Sequence, residues 1–179
     1  QSTVESAVAD GVITSNDENA VFNYVSAAPN YNPIYENLIA SGRNDFVPAK
    51  TIVDAMNGLS DPRRAKYFTL FSDGTYKGGK YGFTNPYSNF SHVSDNIKAA
   101  DAPAALMEVT EINFYLAEAA ERGYNVGNTA ENFYNNGVKS SFESWGLSES
   151  DADAYLANVD VAYTTAPGSW KEKIGKQAW

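Results

Sequence analysis

From Met107 to Arg122 the apolar positions Ile112, Tyr115, Leu116, Ala119 and Ala120 recur every three or four residues, which predicts a helix with one apolar stripe. Gly123 ends it. Thr129 is placed to cap a second helix, in which Ala130, Phe133, Tyr134, Gly137, Val138, Ser141, Phe142 and Trp145 keep the same period up to Gly146. Small side chains at Ala119, Ala120 and Gly137 would let two antiparallel helices approach closely. A third helix is predicted from Ser148, with Asp151 as its capping-box partner, to about Asn158. A fourth starts at Ser169, with Glu172 at the reciprocal position.

The first half is patterned less regularly. Ser2 to Ala9 reads as the end of a helix closed by Asp10-Gly11. Pro29 and Pro33 bias their preceding residues away from helix, so Ala27 to Tyr35 is read as a loop, with a short helical turn from Tyr35 to Ile39. Pro48 to Asn57 reads as a helix with Ile52, Val53 and Met56 on one face and Gly58 as its stop. Asp61 is read as the cap of a turn or short helix through Pro62, Arg63 and Arg64 toward Tyr67 and Phe68. Asp73-Gly74, Gly78-Gly79, Gly82 and Asn85-Pro86 break any helix between Thr69 and Ala102, leaving a long loop with at most a short hairpin. Such loops inside a domain are usually functional or ordered by a partner. The expected fold is mostly α, with a loop-rich part over 1–103 and a helical part over 104–179. The fourth helix is capped and begun, yet the chain stops soon afterwards on Trp179, which reads as a truncation.

Composition narrows the function. Hydrophobic residues are 43% of the 179, enough for a real core. Net charge is −9, with eight basic against eleven acidic residues up to Pro103 and five against eleven after it. No basic stripe exists, and an acidic surface repels phosphate backbones and anionic lipids, so neither nucleic acid nor a membrane surface is an expected partner. With no Cys and only His92, the chain holds no thiolate nucleophile, Cys-ligated zinc, His cluster or Ser-His-Asp triad. His92 itself, in a Ser/Asn-rich loop, is expected to be simply exposed. No apolar run approaches the roughly 20 residues of a membrane span, and no signal peptide remains at the start.

Ala130, Tyr134 and Gly137 have the spacing of the second helix of a tetratricopeptide repeat. Several short stretches, in order, then carry a wider resemblance. They are Asn32-Pro33-Ile34-Tyr35, Arg43-Asn44-Asp45-Phe46-Val47, Asp54 through Asp61-Pro62-Arg63-Arg64 to Tyr67-Phe68, and Gly79-Lys80-Tyr81-Gly82 with Asn85 and Tyr87. Glu111-Ile112-Asn113-Phe114-Tyr115-Leu116-Ala117-Glu118-Ala119-Ala120-Glu121-Arg122-Gly123 follows, and then Tyr155-Leu156-Ala157 and Ile174 to Trp179. The whole resembles the SusD/RagB family, in its SusD-like branch. That resemblance implies tetratricopeptide-like helix pairs decorated by long loops, with residues 1–179 as one region of a larger SusD-like domain. It further implies a lipid-anchored protein at the surface of the bacterial outer membrane, non-catalytic and without cofactors. Such a protein captures a glycan, or in some branches a peptide, and hands it to a SusC-like TonB-dependent transporter. The lipid-anchored Cys of the family is not among these residues.

Sugar capture needs flat aromatic faces for pyranose C–H groups and amides or carboxylates for the hydroxyls. The loop from Tyr76 to Phe90 has this makeup, and its ligand-binding candidates are Tyr76, Tyr81, Phe83, Asn85 and Tyr87. Pinning of the loop onto the helices, or contact with the transporter, are the competing roles for the same aromatics. Tyr31, Tyr35 and Trp170 are weaker candidates. Glycoside hydrolysis would need two carboxylates across a cleft, but Glu118 and Glu121 read as solvated helix charges, and Asp151 and Asp153 as charges favoured at a helix N-terminus. Neither Asn16-Asp17-Glu18-Asn19 nor Ser148 to Asp153 matches a calcium loop. A peptide-binding helical scaffold without glycan affinity is the alternative function.

Overall fold

The computed structural model describes residues 1–179. In chain order its elements are α1 (Ser2–Asp10), a 3-10 turn (Asn16–Glu18), β1 (Ala20–Phe22), and α2 (Pro33–Tyr35), which continues into a π turn (Glu36–Ala40). Next come α3 (Lys50–Gly58), α4 (Arg64–Tyr67), a 3-10 turn (Tyr87–Asn89), α5 (Asp95–Lys98) and β2 (Ala104–Met107). The chain finishes with α6 (Val109–Glu121), α7 (Ala130–Ser144), α8 (Glu149–Leu156) and α9 (Trp170–Ala178). The expected mostly helical architecture is what forms. Strands β1 and β2 pair as a two-stranded antiparallel sheet. These strands are distant in sequence, and residues 69–102, read as a loop with at most a short hairpin, form none. Where the sequence predicts any helix to be broken, that stretch forms the 3-10 turn (Tyr87–Asn89) and α5 (Asp95–Lys98), with an antiparallel bridge from Val93 to Phe68 and a parallel one from Gly79 to Ala49. Two compact units result, one of residues 1–20 with 105–179 and one of residues 21–104.

In the first unit α6 and α7 pack along their lengths, α8 packs on α7 and α9 on α6. Gly137 allows the close approach of the central pair, because a Cβ there would lie 3.0 Å from two atoms of the Phe114 ring. Val138 and Phe142 are completely buried and Tyr134 nearly so. The Tyr134 hydroxyl donates to the Val161 carbonyl at 2.7 Å, which keeps a polar group satisfied inside the core. Local capping sets the helix starts. The Thr129 hydroxyl accepts from Asn132 N–H at 3.2 Å, and Ser148 and Asp151 exchange reciprocal bonds, as do Ser169 and Glu172. The first N–H of α6 is instead satisfied from far away, donating to Asn19 Oδ1 at 2.7 Å.

The second unit has a small core of Val53, Met56 and Phe68, flanked by Ile52, Tyr67 and Tyr76. Asp61 caps the turn that leads into α4, as its position predicts, its carbonyl also accepting from Arg64 N–H at 3.2 Å. Its carboxylate accepts the Arg63 backbone N–H at 2.9 Å and is gripped by the same residue's guanidinium, with both side chains buried. A buried carboxylate needs a counter-charge, and the Arg63 guanidinium supplies it beside the capping bond. Asn32 ties α2 inward, accepting from Ile34 N–H and donating to the Ala102 carbonyl, each at 2.7 Å.

Candidate functional site

The loop of residues 76–90 is stitched to the second unit at its base. Lys50 N–H donates to the Gly79 carbonyl at 2.7 Å, and Gly79 N–H to the Pro48 carbonyl at 2.8 Å. Two glycines permit this approach. A Cβ on Gly78 would lie 2.6 Å from Lys50 Cα, and one on Gly79 2.6 Å from Val47 Cγ2. On the other side of the base, Ser91 N–H donates to the Lys77 carbonyl at 2.9 Å, and Lys77 N–H returns a bond to the Ser91 hydroxyl at 3.0 Å.

The five candidate residues divide between the base of the loop and its tip. Tyr76 packs beside Val53, Met56 and Phe68, with the Arg64 guanidinium 5.4 Å from its ring centre. Tyr87 lies half-buried and flat on His92, the ring centroids 3.6 Å apart and the planes 6° apart. His92 is therefore not the freely exposed imidazole expected from its Ser/Asn-rich surroundings. Its Nε2 is 3.0 Å from the Tyr87 carbonyl, and its own carbonyl accepts from Thr69 N–H. Asn85 folds the tip: its Oδ1 accepts from Lys80 N–H at 3.0 Å, and its Nδ2 donates to the carbonyls of Lys80 and Phe83, both at 2.9 Å. These bonds commit the Asn85 amide to the turn. Tyr81 and Phe83 remain outside, 77% and 67% exposed, with Lys80 Nζ 5.3 Å from the Phe83 ring centre. A left-handed Gly82 (φ +74°) lies between them.

At the edge of the loop Lys77 bonds Asp73 and sits 4.0 Å over the Phe71 ring. The Lys77 bond, aided by the Thr75 hydroxyl, holds the Asp73 carboxyl down at about 2. Among the weaker candidates, Tyr31 and Tyr35 are half-buried against each other, centroids 4.9 Å apart. Trp170 is half-buried on α9, 5.6 Å from the Arg122 guanidinium. Tyr115 departs from the sequence expectation. Read as part of an apolar stripe, it is 58% exposed and donates its hydroxyl to Glu111 one turn back. An aromatic on a stripe next to Glu111 and Glu118 is the only sequence signal of that exposure.

Several of the oxygens weighed as calcium ligands are used within the chain, Asn16 Oδ1 accepting from Asn19 Nδ2 at 3.1 Å and Asn19 Oδ1 from Val109 N–H at 2.7 Å. Asn16 donates through Nδ2 to Glu143 at 2.7 Å, and Glu18 accepts from Thr14 N–H and hydroxyl. Glu118 accepts from Arg122 Nε at 2.8 Å, an exposed helix pair as expected. No helix is long and apolar enough to cross a membrane.

Solved structures similar to this chain include several SusD homologues. A SusD homologue from Bacteroides thetaiotaomicron shares 35% identity over 88% of this chain and 33% of its own, with a TM-score of 0.74. A SusD homologue from Bacteroides uniformis shares 33% identity over 88% of this chain and 33% of its own, also at 0.74. A chitin-binding SusD homologue from Flavobacterium johnsoniae shares 28% identity over 99% of this chain and 42% of its own, at 0.78. The chain thus spans between 33% and 42% of the length of these structures. No curated protein matches it. The helix pairs, the loop and these likenesses agree with a match over residues 1–179, and the chain belongs to the SusD-like family described as starch-binding and associating with the outer membrane.

Proposed function

We propose that this protein takes part in non-catalytic capture of a glycan at the bacterial outer-membrane surface, for delivery to a SusC-like TonB-dependent transporter. The observation that carries the reading is the family match along all 179 residues to proteins described as starch-binding, together with 28% identity to a chitin-binding homologue. The loop tip supports it. Tyr81 and Phe83 present apolar ring surface to solvent on a turn whose polar groups are already bonded, which suits stacking on sugar rings. Tyr76, Asn85 and Tyr87 position that tip from behind. The membrane association rests on a lipid anchor, and no metal or cofactor enters the reading. Residues 1–179 form one region of a larger SusD-like domain, its loop-rich part over 1–103 and its helical part over 104–179.

The test is calorimetric titration of the full-length protein with starch-, chitin- and cellulose-derived oligosaccharides, followed by analysis of the recovered sugar. Binding with intact ligand, weakened in a Tyr81→Ala, Phe83→Ala double variant, is the expected result. Release of reducing ends would overturn the non-catalytic reading. Absence of binding to every sugar, with a peptide or the transporter bound instead, would replace glycan capture by a protein-binding scaffold.

A further inference from the structure

The first unit contains a cleft between α6 and α9 with a volume of about 570 Å³, lined in part by Glu108, Thr110, Tyr115, Trp170, Lys171 and Gly175. Three features mark it. Glu108 is half-buried, its carboxyl takes no hydrogen bond within the chain, and burial, with the neighbouring charge of Glu111, pushes that carboxyl above the usual carboxylate range. Two aromatic rings, Trp170 from α9 and Tyr115 from α6, line the same space. Gly175 lies inside α9, yet a Cβ built on it would meet nothing within 4 Å. A glycine inside a helix forfeits stability relative to alanine. Neither a left-handed backbone nor a close neighbour requires this one, and what its bare Cα provides is a flat, open cleft wall.

We infer that this cleft is a second glycan subsite, one that seats a neutral pyranose unit against Trp170 and Tyr115 with a sugar hydroxyl donating to Glu108. The chemistry favours a neutral sugar over a cationic ligand. Lys171 Nζ and the Arg122 guanidinium stand 5.4 and 5.6 Å from the Trp170 ring centre while Glu108, Glu111 and Glu118 line the same cleft, so its wall carries both signs and gives a charged ligand of either sign a repulsive neighbour. A pyranose instead offers C–H faces to the rings and hydroxyl donors to a carboxyl without a partner. The subsite rests on the glycan-capture reading but lies on different residues from the loop tip, so the two are separable by mutation.

The experiment uses the full-length protein with the same neutral oligosaccharides. Gly175→Leu fills the open wall while improving helix propensity, and Trp170→Ala removes a platform. The expected result is that each weakens binding about tenfold, that Gly175→Leu leaves the melting temperature equal or higher, and that the Trp170 indole N–H resonance shifts on adding sugar. That shift persists in the Tyr81→Ala, Phe83→Ala variant. Unchanged affinity in both cleft variants, with binding weakened only by the loop variant, would overturn the subsite and leave glycan capture standing. Failure of the wild-type protein to bind any sugar would overturn both.

Discussion

Asp61 and Arg63 form an ion pair two residues apart in which the side chains are only 4% and 8% exposed. The guanidinium bonds Asp61 Oδ2 through Nη2 at 2.6 Å and Oδ1 through Nε at 3.0 Å. The carboxylate oxygen Oδ1 also accepts the Arg63 backbone N–H. A planar fork can span both oxygens where a lysine ammonium cannot.

Arg63→Ala leaves that carboxylate buried without its counter-charge, and is expected to cost about 3–5 kcal/mol of stability. Arg63→Lys is expected to recover only part of it. Urea unfolding of the variants measures both, and a loss below about 1 kcal/mol for Arg63→Ala would show that water reaches Asp61.

Phe142 and Tyr134 test the core of the helical unit. Phe142→Ala empties a fully buried site and is expected to cost about 3–5 kcal/mol. Tyr134→Phe keeps the ring and deletes only the bond to the Val161 carbonyl. Its expected cost is about 1–2 kcal/mol, part of it from the acceptor left unpaired. Equal losses for the two variants would mean that the hydroxyl, and not packing, dominates there.

Asn85→Ala removes the amide that closes the loop tip with three bonds. Backbone amides from Lys80 to Phe83 are expected to exchange faster with solvent, while those of α3 keep their protection. Glycan affinity falls with the loop's order if Tyr81 and Phe83 form the platform. Undisturbed exchange in the variant would transfer the turn's stability to Gly78, Gly79 and their contacts.

The capping carboxylates give a pH signature. Bonds from Ser148 lower the Asp151 carboxyl, and bonds from Ser169 lower that of Glu172. A carboxylate lowered in the folded state stabilises it above the unfolded value, and the contribution disappears as pH falls through the folded one. The acid limb of stability should therefore include both helix starts. NMR titration of Ser148→Ala is expected to move the Asp151 midpoint upward toward its ordinary value, and an unmoved midpoint would assign the shift to the α8 terminus itself.

The features legible in the sequence are those decided within a few residues. The pairs Ser148/Asp151 and Ser169/Glu172 cap α8 and α9 as their spacing predicts, and Thr129 caps α7. The stripe of Ala130, Phe133, Tyr134, Gly137, Val138, Ser141 and Phe142 is the buried face of α7. Periodicity and capping are properties of one helix, so a linear pattern carries them. The order of short stretches from Asn32 to Trp179 carried the family in the same way.

Other outcomes required residues far apart in sequence to meet. Asp61 caps its turn as its place predicts, but its buried ion pair with Arg63 depends on what packs around both side chains. Val109 at the start of α6 finds its acceptor in Asn19, which no local pattern could indicate. Tyr81 and Tyr87 belong to one aromatic loop and read alike, yet one stands in solvent and the other stacks on His92. The sequence by itself determined the helices, their starts and stops, and the family. Only the tertiary structure decided which aromatic faces, and which carboxyls, stay open to a ligand, because exposure depends on what packs against a side chain and not on the side chain itself.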